Sequence, residues 1–487
     1  MRRISLSLAL AFTCLLVLAA CGSKSKSSSP QSTTSNSSSA IAGAEVAPAS
    51  ATAFVSINSD SSGAQWKQAM QLLARVPSLQ KSLNKSLSSS GIKLADVEQA
   101  LGSTTDFVEL GTSAKPTEVV LTNPKDPSQL KSMLAKGKGQ NKSVTTEIGS
   151  WLAVADSQAA LNQFKSAAAK GKLADSSAFK TAISGVSSDS LVRAYFKGSV
   201  ISASSLASLS SNATVSKALK TVASKNQLEW GTLAVSAVAD GVTVDGIFKG
   251  KTSLANSSLS LLDELPSSTS FALDLNGKTL GLDKAVMNLR KSKTYGSQIP
   301  QIEAALGVKL DDLAALAGSE MSLYGTQSGI GLLIKAPDAA KSKAMLDKAV
   351  ALLAAQLNGS SKSVTVGGVK ATELTFSTTS IYYGVTGGNL FLVTSADALP
   401  GSAKLSSEPG YAAAAKDLSI PASNAGVAYV DFAKVAKLAK SSSSTLKSLG
   451  TSSSGSNLSD LNGLSALLGY IAANGDKVEL KAVLTVG

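Results

Sequence analysis

The sequence predicts an α+β protein built as two tandem homologous repeats, each a largely antiparallel sheet packed with helices. Three observations predict it. Short alternating stretches come in pairs joined by turns, as in hairpins. Stretches with apolar residues at helical spacing separate those pairs. Blocks of sequence then return in the same order further along the chain. Hairpins interrupted by helices favour antiparallel sheet covered by helices over a doubly wound parallel sheet.

In the first repeat, placed at 45–251, Phe54, Ser56 and Asn58 alternate with Val55 and Ile57 as a strand does. Trp66 to Val76 and Leu79 to Leu87 read as helices. Leu94, Val97 and Leu101 fall on one helical face, and Gly102 sits where such a helix stops. Glu118 to Thr122 reads as a strand, and Val144 to Ala155 as two strands turning at Gly149-Ser150. Ala- and Lys-rich helices are expected at Ser128 to Lys136 and Ser157 to Lys170. Leu233 to Ala239 with Val242 to Phe248 closes the repeat as paired strands.

The second repeat, placed at 260–487, is expected from recurrence. Gly91-Ile92-Lys93-Leu94, closed by Gly102, returns as Gly307-Val308-Lys309-Leu310, closed by Gly318. Thr52-Ala53-Phe54 returns as Thr269-Ser270-Phe271, and Trp151-Leu152-Ala153-Val154 as Leu390-Phe391-Leu392-Val393. Ala194-Tyr195 returns as Ala428-Tyr429. Ala339 to Leu357 reads as a helix, and Gly469 to Ala473 with Val478 to Val486 as the closing strands. The Ser-rich stretches Ser199 to Ser216 and Ser441 to Ser456 read as loops, the sharper alternative being a lid over a cleft.

Ahead of the repeats, Arg2 and Arg3 precede an apolar run from Ile4 to Val17 and then Leu18-Ala19-Ala20-Cys21. A charged start, a short apolar core and small residues describe a signal peptide over 1–20. The four residues resemble a bacterial lipobox. That resemblance implies cleavage between Ala20 and Cys21 and attachment of acyl chains such as palmitate to Cys21. The segment 21–44 is then a lipidated Ser-rich tether, with almost nothing to bury. The expected address is the cell membrane, lipid-anchored on the extracytoplasmic face.

Composition narrows the chemistry. Hydrophobic residues make up 44% and charged residues 16%, enough apolar material for real cores and too little charge for a disordered chain. Of the 2 Cys, Cys14 lies in the signal and Cys21 would carry the lipid; His is 0. A mature chain of that kind has no disulfide, thiolate nucleophile or imidazole base, and no Cys or His metal ligand. Neither a cofactor nor a metal site is expected. The formal charge is +13, almost all from lysine, which attracts anions diffusely rather than gripping phosphate bidentately. Anionic lipid or an anionic wall polymer is the partner class this suggests. With 5% aromatics, nucleic acid is not expected.

Motif readings lead to no catalytic residue. Gly250-Lys251-Thr252 lacks the glycine a phosphate loop needs at 245, where Asp245 stands. Asn58 to Gly63 mimics the start of a calcium loop, yet its closing acid would fall at Ala69; Asp60 or Ser62 reads instead as a helix cap. Ser78 with Lys81 and Ser82 with Lys85 match a Ser-x-x-Lys spacing without companion motifs. Asp311-Asp312 and Asp263-Glu264 are sequence neighbours, which point apart. Trp66, Trp151 and Trp230 sit in apolar elements and read as core, the alternative being the lining of a ligand cleft.

The lead-in from Pro48 to Phe54, the Asn58 to Trp66 stretch and the Gly91 to Gly102 block, behind a tethered lipobox, resemble a bacterial envelope family whose domain is of unknown function. The resemblance implies no catalytic residues. The functional expectation is a non-enzymatic, lipid-anchored envelope protein of binding or structural type. A carrier of lipid or another apolar ligand is the alternative, and a His-free hydrolase the third.

Overall fold

A computed structural model describes residues 41–78, 80–81, 101–112, 115–136, 143–198, 227–252, 254–376, 379–401, 403–441 and 463–487. The chain divides into two compact units, at 1–252 with 454–463 and 486–487, and at 253–453 with 464–485.

In the first unit, β1 (Ala53–Asn58) leads to α1 (Ala64–Ala74), then β2 (Thr104–Thr112) and β3 (Lys115–Thr122). After α2 (Pro127–Lys136) come the hairpin β4 (Val144–Ile148) and β5 (Trp151–Ala155), then α3 (Gln158–Ala168) and α4 (Ser177–Ser184). The unit continues with β6 (Val192–Lys197), β7 (Gln227–Val238) and β8 (Gly241–Lys251). Antiparallel pairing sets the strand order β4-β5-β3-β2-β1-β6-β7-β8. The β4–β5 turn falls where Gly149 adopts a φ of 59°, open to glycine at no steric cost.

Alternation along β1 sends side chains to both faces of this sheet, and both faces are covered. Phe54 points to a core with Leu121, Phe164, Phe179 and Tyr195 under α3 and α4. Val55 and Ile57 point the other way and pack with Trp66, Ala69 and Leu72 of α1. The helix begins at Gly63, which provides no side-chain cap. Asp60 instead accepts from the Ser62 backbone N–H at 3.1 Å and its hydroxyl at 2.6 Å, a turn just before the helix rather than a cap.

In the second unit, β9 (Phe271–Asn276) is followed by a run of short helices: α5 (Gly277–Leu280), α6 (Leu282–Met287), α7 (Ile299–Leu306) and α8 (Leu310–Ala317). Then come β10 (Glu320–Gly325), β11 (Ile330–Lys335), α9 (Ala339–Leu357), β12 (Ser360–Val366), β13 (Val369–Phe376), β14 (Thr379–Thr386) and β15 (Asn389–Val393). The last elements are α10 (Pro409–Leu418), β16 (Gly426–Asp431), α11 (Phe432–Ser441), β17 (Leu464–Asn474) and β18 (Lys477–Val486). Pairing gives the order β12-β13-β14-β15-β11-β10-β9-β16-β17. One face is core, with Tyr324, Phe391, Leu405, Tyr429 and Leu468. On the other face the register aligns Ala428, Leu273, Leu323, Leu332 and Leu392 in one row. Leu273, Leu323 and Leu392 stand 41%, 46% and 37% exposed.

The expectation of two tandem homologous repeats, each with its own sheet, is corrected. All eighteen strands among the described residues are antiparallel and belong to one sheet. The units also differ in make-up. Among the described residues, the β12–β13 hairpin and the 19-residue α9 have no counterpart at the matching place in the first unit, and the short helices after β9 stand where the first unit has α1. Recurring blocks such as Gly307 to Gly318 record local helix stops, and local signals of that kind do not determine how strands pair over long range. The other copy of that block, up to residue 100, lies outside the described residues, as do Leu79, Leu87, 1–40 and both Ser-rich loops past residue 441 and from 199.

Candidate functional site

Cross-strand register assembles a cleft that no local motif announces. On β6, β7 and β8, Lys197 pairs with Trp230 and Trp230 with Lys249, so the three side chains share one face. A register shift between Leu228 and Trp230 lets Glu229 bulge out of the ladder beside them. Bulges re-aim side chains in this way next to binding sites. The N-terminal end of α4 roofs the row, held by its own aromatic anchor. Phe179 stacks edge-on against Phe54 at 5.8 Å and against Tyr195 at 5.3 Å. Ser176 caps the helix, accepting from the Phe179 N–H at 3.4 Å.

The result is an open cleft of about 560 Å³ lined by Ser176, Ser177, Thr181, Tyr195, Lys197, Trp230 and Lys249. Trp230, 3% exposed, forms its floor. The Lys197 ammonium donates to the Ala49 carbonyl at 3.0 Å, and burial holds its pKa below the usual lysine range. Lys249 pairs with Glu229 at 3.3 Å. Burial raises the Tyr195 phenol above its ordinary value. Lys197, the Lys249–Glu229 ion pair and three hydroxyl-bearing side chains of the α4 end line the cleft together. With two lysines against one carboxylate, the lining carries a net positive charge.

Further buried carboxylates lie elsewhere. Asp106 on β2 faces Ser56 of β1 and is fully buried; burial pushes it up to about 7, against the pull of the Ser56 side chain and the Arg193 charge. In the second unit Asp274 accepts from the Leu262 N–H at 3.0 Å, and Glu320 from the N–H groups of Ser260 and Leu261. Burial, with the neighbouring Glu320 charge, raises Asp274 to about 8. Both carboxylates hold the turn Leu261–Glu264 onto the sheet, which is a structural use.

The residues singled out in the sequence fall as follows. Ala20 and Cys21 lie outside the described residues, as do Ser82 and Lys85. Asp311 turns to Arg290 at 3.0 Å and Asp312 to Lys341 at 2.8 Å, while Asp263 accepts from Tyr411 and Glu264 pairs with Lys404, so neither acid pair converges. Trp66 and Trp151 are core, each 7% exposed. Trp230 is core and cleft floor together, while Tyr195, Lys197 and Lys249 were not singled out. Only the strand register across β6 to β8 joins them, and the register was not available from spacing. Among the described residues no group of three or more His, Cys, Asp or Glu is placed to hold a metal, and no helix is long and apolar enough to cross a membrane.

No curated protein and no solved structure matches the chain. A family model does match, over residues 127–466, well over half of the sequence, and the chain therefore belongs to the family described as "Protein of unknown function (DUF3352)".

Proposed function

We propose that this is a non-enzymatic binding protein of the extracytoplasmic membrane face, anchored through acyl chains on Cys21, whose first unit binds an anionic envelope polymer. The anchor rests on the lipobox-like Leu18 to Cys21. The binding role rests on one observation, the Lys197–Trp230–Lys249 row beneath the N-terminal end of α4. Polymers fit an open cleft better than small ligands do, since small ligands are usually enclosed. Titrating the full chain with an acidic polysaccharide tests the reading. Lys197→Gln with Lys249→Gln is expected to weaken binding about tenfold or more, because hydrogen bonds to charged groups contribute about 1.5–3 kcal/mol each. Undiminished binding by that double variant would overturn it.

A second reading has its own support: the exposed row Leu273, Leu323 and Leu392 offers an apolar surface to a lipid or similar ligand. Mass spectrometry of an organic extract of the purified chain separates the two. A stoichiometric lipid favours the carrier, and an empty protein removes it.

A further inference from the structure

The segment Gly277–Gln298 of the second unit is a run of short helical turns, most of them open to solvent. Neither α6 nor the 3-10 turns Asn288–Lys291 and Gly296–Gln298 bury a single side chain. It nevertheless carries Leu280, Leu289 and Tyr295 at 50%, 41% and 53% exposure, three of the eight exposed large apolar side chains among the described residues. Lys278, Lys284, Lys291 and Lys293 stand exposed between them. With Arg290 these make five basic residues against Asp283 alone.

The arm is nevertheless fixed in place. Arg290 reaches Asp311 through two hydrogen bonds, at 3.2 and 3.0 Å, and Glu303 at 3.1 Å. The Thr279 hydroxyl donates to the Ala255 carbonyl at 3.0 Å. Its apolar side chains are thus held outward rather than left over from a missing core. Exposed leucine and tyrosine interspersed with lysine is the composition of interfacial protein segments. Tyrosine favours the headgroup level, and lysine stems lie along apolar surface while their ammonium groups meet phosphate.

We propose that the arm Gly277–Gln298 is a contact surface for an anionic phospholipid bilayer, with Leu280, Leu289 and Tyr295 entering the headgroup layer and the four lysines meeting lipid phosphates. The proposal rests on the reading that the chain works at a membrane. The segment 22–44 makes contact geometrically feasible, since it spans up to about 80 Å when extended. The arm contributes attraction of its own. Each lysine near an anionic surface adds about 1 kcal/mol.

The test uses the full chain with Cys14→Ser and Cys21→Ser, which leaves no other cysteine. Leu289→Cys then carries an environment-sensitive fluorophore, and Ser361→Cys on exposed β12 carries it in a control chain. Each is titrated with phosphatidylglycerol vesicles and with phosphatidylcholine vesicles. The expected result is a blue shift at 289 with phosphatidylglycerol only, and none at 361. Adding Lys284→Gln, Lys291→Gln and Lys293→Gln should raise the lipid concentration needed about 100-fold. The proposal is overturned by no shift at 289 with phosphatidylglycerol, by an equal shift at 361, or by a shift that the triple variant leaves unchanged. Lipid anchoring is read separately, as the mass of the wild-type mature chain. An unmodified Cys21 would end the anchor reading and leave the arm result standing.

Discussion

The segments that follow β1 and β9 meet their sheets in opposite ways. After β1, α1 brings Trp66, Ala69 and Leu72 down onto the sheet, leaving Val55 and Ile57 at 2% and 4% exposure. After β9, short helices follow whose outer turns bury nothing, and Leu273 remains 41% exposed. Burying a leucine is worth about 1.5–3 kcal/mol, so a sheet face left bare is a stabilisation forgone. The difference teaches where to look for work other than folding. The first unit spends its apolar surface on a second core, and the second unit keeps its own at the surface, where a lipid or a bilayer can use it.

The largest test of that contrast is a pair of truncations. Leu72→Ala should destabilise by about 2–5 kcal/mol, because Leu72 is 1% exposed and its removal leaves a cavity under α1. Leu323→Ala, on the bare face of the second unit, should change stability by no more than about 0.5 kcal/mol. Urea unfolding of both variants decides it. Equal costs would mean that the bare face is packed in solution, and the contrast would collapse.

The outcome also bears on what the sequence revealed. Alternation in Phe54 to Asn58 identifies a strand, and Ala339 to Leu357 reads as a helix over the limits that α9 takes. Those are local properties, set by two or four residues at a time. Alternation separates two faces without saying which is core. In β9, Ala272 and Asp274 turn inward while Leu273 and Leu275 turn out, the reverse of what hydrophobicity suggests. Asp274 is tolerated there because it anchors the Leu262 N–H, a partner twelve residues away. The Lys197–Trp230–Lys249 row was out of reach for a related reason. Its register depends on a bulge at Glu229 and on the pairing of Lys197 with Trp230, 33 positions along the chain, which no spacing rule counts.

A second, smaller effect compares the inner faces. Asp106 and Asp274 are each held protonated by burial, with folded pKa values of about 7 and about 8 against 3.8 in the unfolded chain. In both cases the folded state keeps a proton that the unfolded state has lost, so stability falls as pH rises from about 4 through the folded pKa. The loss is complete near pH 7 for Asp106 and near pH 8 for Asp274. For each it is of the order of a few kcal/mol. Asp106→Asn should flatten the first unit's profile between pH 4 and 7, as read by urea midpoints at each pH. A slope that survives the substitution would assign the titration to another group. Asp274→Asn sharpens the comparison, since its neighbour is the Glu320 carboxylate whereas Asp106 has the Arg193 cation nearby.

The smallest effect expected is the most local. Arg290 fastens the arm to the rest of the second unit through a two-bond grip on Asp311 and one bond to Glu303, all at the surface. Exposed ion pairs of this kind contribute little to global stability, because water competes for both partners and salt screens them. Arg290→Gln should therefore leave the unfolding midpoint where it is. Its consequence should appear in the arm itself, as faster amide exchange over Leu282 to Gln298, with exchange in α9 and in β10 unchanged. Local opening is the level at which one surface contact can matter, since stability is not uniform across a structure. If exchange in the arm does not change, its outward leucines are positioned by the packing of α6 against α8 and by the Thr279 hydroxyl, and the contrast with α1 becomes one of packing rather than of charge.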